Sequence, residues 1–533
     1  MSAFRPAEAR VRETLLDLWA QSRGDWRFVT ERLSQAFRQA KQLHSAERRV
    51  VAETLYGMVR HARTIDHCLA GAGIPVEAWG PGREPTQERA WVDLLTYRML
   101  FEGLGIDQAK AERPNVDWPA VWRTFTSIER IADRTLRFAL QYSLPDWLAE
   151  RLLGEFGEAE ASAFANALNA RAPLTLRANR LKTTREALSE TLVAESLEPS
   201  PTRWSADGLN LGARVNVFGL AAFKAGMFEV QDEASQLVAE LVAPPVHGLV
   251  IDACAGAGGK TLALGAIMRN KGRLVAMDMA KHKLDELGRR ARRAGLSNHR
   301  AFVIDPDGPL PPEAKSLIGK ADRVFVDAPC SGVGSMRRNP EARWRMSPGF
   351  VASLPDLQFR IAMRALPLLK PGGRFVYATC TTLGAENEAV VQRIMAAEPR
   401  LSRIPVKEIL GKARAEGITS ADGFSLQTTP HVHGMDGFYA TALRLYKDGE
   451  ASTEGLRQDG EASTEGLRQD GEASTDGLRQ DGEASTEGLQ QDGEASTEGL
   501  RQDGEASTEG LRQDGEASTD GLAEPLPTAT EPT

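Results

Sequence analysis

From residue 245 onward, short apolar runs alternate with longer amphipathic stretches, and this rhythm restricts the fold more than any other feature of the chain. LVIDA (249–253), RLVAMD (273–278), AFVID (301–305), DRVFVD (322–327) and GRFVYAT (373–379) have strand length. Helical spacing fills the gaps, from about Lys260 and again over 281–294. Strands alternating with helices predict an α/β fold, a Rossmann-like, doubly wound and mostly parallel sheet. Ligands of such sheets sit beyond the carboxyl ends of the strands, so the residues there are the first candidates for chemistry.

The rest of the chain divides around this unit. Residues 1–140 read as all-α: Val51, Leu55, Met58 and Val59 fall on one helical face, as do Trp91, Leu94, Leu95 and Met99, with a Gly/Pro break over 71–85. Residues 141–225 mix a helix near Trp147–Phe156 with strand-like pieces such as LTLRANRL, a small α+β connecting module. The catalytic unit is expected over 226–447. From Asp448 the 11-residue unit DGEASTEGLRQ repeats six times and begins a seventh at Asp514. With two glycines and one leucine per unit it buries too little apolar surface to fold, so 448–533 is expected to be a disordered acidic tail.

That tail distorts the overall charge. It holds 23 acidic residues against 5 arginines, a net of −18 within a whole-chain −8, which leaves +10 for residues 1–447. A basic body points toward a polyanionic partner such as nucleic acid. No apolar run of membrane-spanning length and no signal core occur, so a cytoplasmic protein is expected, without a membrane partner and acting as a monomer. The four cysteines are too sparse for a disulfide scaffold, and no CxxC or HExxH spacing indicates a metal.

Two sites follow from the strand ends. After Asp252, the turn Cys254-Ala255-Gly256-Ala257-Gly258-Gly259-Lys260 leads into a helix, where glycines admit close backbone approach and the helix start offers free amides. A P-loop would place glycine where Cys254 stands, although GGKT matches its end. A nucleoside site instead needs an acid at the end of the second strand for ribose hydroxyls, and Asp278 occupies that place. Asp305, or Asp307 two residues later, is the third-strand candidate. At the fourth and fifth strands, Asp327-Ala328-Pro329-Cys330 and Ala378-Thr379-Cys380 bring two thiols to the same edge. That set suits methylation at carbon 5 of a pyrimidine. A thiolate adds to carbon 6, the activated ring takes a methyl group, and an acid such as Asp327 stabilises the developing charge. The residues alone do not rank the two thiols.

QDEAS (231–235), DACAGAGGKT (252–261), DAPCSGVG (327–334), RRNPEARW (337–344), YATCTT (377–382) with ENE (386–388), and DGFYA (436–440) together resemble the RsmB/Nop/Sun (Fmu) family of S-adenosylmethionine-dependent RNA 5-methylcytosine methyltransferases over 141–445. The resemblance implies a class I methyltransferase fold, with Cys380 as nucleophile and Cys330 aiding release. It also implies that residues 254–260, Asp278, Asp305 and Asp327 hold the cofactor, and that the RNA is ribosomal, the 16S species. The loop departs from the family's CAAPGGK in reading CAGAGGK. LYGMVRHARTIDHCL (55–69) resembles the NusB-like RNA-binding domain of bacterial members. Arg177, Asn179, Arg180, Arg337 and Arg338 are candidate phosphate contacts. The rival readings are a P-loop ATPase and a non-catalytic RNA-binding assembly factor.

Overall fold

The computed structural model describes residues 6–212, 215–305 and 308–447. The repeat tail, with the expectation of disorder attached to it, lies outside the described residues, as does Asp307.

The N-terminal part is helical, and the Gly/Pro break separates helices Ser45–Gly71 and Gln87–Phe101. Their apolar faces, with Leu55, Met58, Leu94 and Leu95 all buried, form one core with Trp19 and Trp118. A further helix, Asp146–Asn169, breaks its regular geometry at Gly157 (φ 71°), where glycine tolerates the left-handed backbone. It leads into a small antiparallel sheet of β1 (Leu174–Ala178), β2 (Pro199–Pro201), β3 (Gly208–Leu211) and β4 (Phe228–Val230), ordered β2-β3-β1-β4.

The large sheet contains β5 (Leu249–Asp252), β6 (Arg273–Asp278), β7 (His299–Val303), β8 (Ala321–Asp327), β9 (Leu369–Thr379), β10 (Leu401–Ile404), β11 (Ser425–Thr428) and β12 (Phe438–Leu445). Its order is β10-β12-β9-β8-β5-β6-β7, with β11 beside β12. β5 to β9 pair in parallel, and β10, β11 and β12 add an antiparallel edge. The central strands are unbroken apolar runs, such as Val324-Phe325-Val326, buried because helices cover both sheet faces. Strand order reverses at β5, which pairs β6 on one side and β8 on the other. Such a reversal opens a crevice at the carboxyl ends of these strands.

The third strand corrects one expectation. β7 stops at Val303, so Asp305 lies beyond the strand rather than ending it.

The helical part is pinned to the sheet domain by the segment that follows the Cys330 loop. Trp344 Nε1 donates to Val59 O (2.8 Å). The fully buried Arg343 donates to Asn169 Oδ1 (2.7 Å), Arg60 O (3.2 Å) and Ser143 O (3.3 Å). No helix among the described residues is long and apolar enough to cross a membrane.

Candidate active site

The turn after β5 is held from below by its neighbours. Ala253 N–H donates to Phe325 O of β8 (2.8 Å), and Ala255 N–H donates to Met277 O of β6 (2.9 Å). Gly256 (φ 52°) and Gly258 (φ 88°) both take left-handed backbone, and Gly258 then caps the helix Gly259–Ile267. At Gly256 a Cβ would meet nothing within 4 Å, so the turn presents open backbone. At Gly258 it would stand 2.6 Å from Leu287 Cγ, so only glycine lets the helix pack this close.

The strand-end acids have distinct jobs. Asp278 accepts from Gly256 N–H and from Ala280 N–H, each at 2.8 Å, and so fastens the glycine turn to the end of β6. Asp305 is exposed, and its carbonyl accepts from Arg364 Nη1 (2.5 Å). Asp327 Oδ2 receives Lys260 Nζ at 2.6 Å. Burial works against the Lys260 ammonium, yet the facing Asp327 outweighs it and holds its pKa above the ordinary value. Asp252, a residue not singled out as a ligand, is buried behind the turn with Thr261 Oγ1 donating to it (2.7 Å). Burial pushes its carboxyl up to about 7.

The ends of β8 and β9 bring the two thiols together. Cys330 Sγ and Cys380 Sγ are 3.3 Å apart, and both residues are half-buried. The hydrogen bond from Cys330 holds the Cys380 thiol below its ordinary pKa against the effect of burial, and the Lys260 ammonium acts in the same sense. Cys330 moves the opposite way, raised by its partner and by burial. Of the two thiols, Cys380 is therefore the one that more readily gives up its proton. Lys260 belongs to the helix that the glycine turn starts, so cofactor turn, acid and thiols meet at one sheet edge.

The residues expected to face RNA phosphates are mostly turned inward. Arg337 Nε bonds Asp436 Oδ1 (2.7 Å). Arg338 bonds Asp436 Oδ2 (2.5 Å) and Asp232 Oδ2 (2.6 Å). This network ties the Cys330 loop to the QDEAS and DGFYA segments. Arg177 is buried, with its pKa lowered by burial to about 10. Asn179 is also buried and donates to Gly226 O and Ala294 O. Arg180 is exposed but paired with Asp207 (2.6 Å). For Asn179, Arg337 and Arg338 a free surface cation or amide is corrected to an internal tie, and Arg177 is buried rather than at the surface. Charge in the sequence does not show which arginines face carboxylates in the fold.

The sheet order and the open glycine turn define the class: a Rossmann-like methyltransferase with a nucleoside cofactor, its site lying beside two cysteines. Residues 239–444 match the family described as 16S rRNA methyltransferase RsmB/F, and residues 144–218 match its RsmF/B-like ferredoxin-like domain. The chain is 31% identical to a probable ribosomal RNA small subunit methyltransferase B from Synechocystis, covering 76% of this chain and 93% of that protein. It is 29% identical to the 25S rRNA (cytosine-C(5))-methyltransferase nop2 of Schizosaccharomyces pombe, over 58% of this chain and 52% of that protein. The crystal structure of NSun6 from Pyrococcus horikoshii with SFG shares its fold, with a TM-score of 0.51 at 21% identity, covering 57% of this chain and 99% of that one. The chain belongs to the RsmB/Nop/Sun family of S-adenosylmethionine-dependent rRNA cytosine-5 methyltransferases.

The donor set fits S-adenosylmethionine. The turn offers open backbone at Gly256, acids stand at the ends of β6 and β8, and Lys260, which a P-loop would aim at phosphate, is spent on Asp327.

Proposed function

We propose that this protein methylates carbon 5 of a cytosine in small-subunit ribosomal RNA through a covalent bond between Cys380 and carbon 6. The observation that carries the reading is the thiol pair at 3.3 Å, set beside the Lys260–Asp327 ion pair where strand order reverses. The glycine turn (254–260), Asp278 and Asp327 would hold the cofactor, with Asp305 further out beyond β7. The bound cofactor supplies an electrophilic methyl group on a sulfonium. Cys380, whose thiolate is favoured by Cys330 and Lys260, adds to carbon 6, and the electron pair of the ring double bond makes carbon 5 nucleophilic. Asp327 stabilises the charge that gathers on the ring nitrogen and amine. After methylation the carbon 5 proton passes to water, its C–H electron pair reforms the ring double bond, and the Cys380–carbon bond breaks with its electron pair returning to sulfur as thiolate. Cys330, one sulfur contact away, assists that departure. The target base leaves its stack to enter such a site. The helical N-terminal part, docked through Arg343 and Trp344, supplies further RNA contacts in this scheme.

The test is transfer of label from tritiated S-adenosylmethionine to cytosine of unmodified small-subunit ribosomal RNA. Loss of a nucleophile costs about a thousandfold or more in kcat, so Cys380→Ser is expected to be essentially inactive, and normal turnover would refute the assignment. Cys330→Ala is expected to accumulate a covalent protein–RNA adduct on a denaturing gel.

A further inference from the structure

Glu386 and Asn387 open the ENE run, and the mechanism above gives them no part. Glu386 is fully buried. Its Oε2 accepts from Ser331 N–H (2.9 Å) and from Gln358 Nε2 (2.8 Å), and the same Gln358 nitrogen donates to Pro329 O (3.0 Å). One carboxylate and one amide thus grip the residues on either side of Cys330. Asn387 treats the other thiol alike. Its Nδ2 donates to Thr381 O (3.0 Å), and its Oδ1 accepts from Thr379 Oγ1 (2.5 Å), the two neighbours of Cys380. Ser331 Oγ and Thr381 Oγ1 close the bracket at 2.8 Å, and Tyr377 OH donates to Glu386 O (2.6 Å).

Neither thiol lies within a strand. Cys380 is one residue past β9, and Cys330 is three past β8. Ladder hydrogen bonds therefore do not fix their separation. Between the two loops Cys380 N–H donates to Cys330 Sγ (3.3 Å) and Gly334 N–H donates to Cys380 O (3.1 Å); to these the buried Glu386 adds the hydrogen bonds of its Oε2, which offset part of the cost of burying a carboxylate. Sulfur placement to within a fraction of an ångström matters to a transfer between them.

We propose that Glu386, acting with Gln358, is the positioning residue that holds Cys330 Sγ within reach of Cys380 Sγ and so sets the release step. The release part rests on the two-thiol reading above; the bracing part does not.

Two readouts on the full chain separate them. The first is disulfide closure by diamide, which takes two protons and two electrons from the thiols as Sγ–Sγ forms and is itself reduced to the hydrazide. Peptide mass mapping follows the Cys330–Cys380 bridge and sets aside Cys68 and Cys254. Because closure demands specific geometry, Glu386→Ala is expected to close about tenfold more slowly than wild type, with Glu386→Gln within about threefold. The second readout is adduct on RNA. Glu386→Ala is expected to accumulate the covalent species as Cys330→Ala does, although it keeps both thiols, and Glu386→Gln is expected to release it. A merely destabilised protein would instead lose adduct and turnover together. Closure of Glu386→Ala at the wild-type rate overturns the proposal, as does adduct-free turnover in that variant when Cys330→Ala traps adduct. If Cys330→Ala traps none, the two-thiol reading fails and the closure rates alone decide the brace. Should Glu386→Ala not fold, Gln358→Met takes its place, with closure slowed about threefold expected and an unchanged rate overturning the brace.

Discussion

Single charges decide what the site can do at neutral pH. Lys260 pairs with Asp327, and its charge favours the anionic form of Cys380. Replacing it by methionine removes that cation and leaves Asp327 unpaired nearby, so the midpoint of Cys380 alkylation by iodoacetamide is expected to move to higher pH; an unmoved midpoint would dissociate Lys260 from the thiol. Asp252 gives a second pH prediction. Its carboxyl is raised from the usual 3.8 to about 7 by burial, so the folded state holds a proton that the unfolded chain gives up. The associated stability is present below about pH 4 and is lost as pH rises through 7, by at most about 4 kcal/mol. Urea unfolding should show a lower midpoint at pH 8 than at pH 5, and Asp252→Asn should flatten that part of the difference. Strand-end acids were legible as a set, but their individual tasks were not. Asp278 became a fastener of the turn and Asp252 a buried support, because hydrogen-bond partners come from segments distant in sequence.

At the scale of elements, the turn between β5 and its helix is constrained by both backbone conformation and packing. Gly258→Ala places a Cβ 2.6 Å from Leu287 Cγ at a φ of 88°. The strain is expected to cost about 1–3 kcal/mol of stability and to weaken S-adenosylmethionine binding, measurable by thermal unfolding with and without cofactor. The five strands read from apolar runs all appear: the inner ones are covered on both faces and so are largely apolar, whereas β7, at the edge, is largely exposed. β10, β11 and β12 were not read, since an antiparallel edge is set by which surface remains open rather than by local pattern. DGFYA is one consequence. Its motif was visible, but its place against the Cys330 loop follows from Gly437 N–H donating to Gly334 O (2.9 Å), a contact a Cβ on Gly334 would block.

Across the whole molecule, two attachments are open to test. Arg343 is buried with three acceptors and no carboxylate, its pKa lowered to about 9 by burial and by Arg60. Arg343→Ala leaves those acceptors unmet and is expected to destabilise the docking of the N-terminal helices by about 2–4 kcal/mol, seen as faster proteolysis of residues 6–142. Charge supplies the other. A chain ending at Lys447 carries +10 instead of −8, so it is expected to bind RNA more tightly than the full chain at 50 mM salt and to converge with it as salt screens the difference, by filter binding. Equal affinity at low salt would show that the tail does not compete with RNA. The sequence by itself determined the α/β architecture, the glycine turn and the two thiol-bearing strand ends, because periodicity and motif spacing are local properties of the chain. The tertiary structure decided the rest: which arginines are bound internally, which acid pairs Lys260, and that Glu386 stands behind Cys330. Those are distances between residues far apart in the chain, and only packing brings them together.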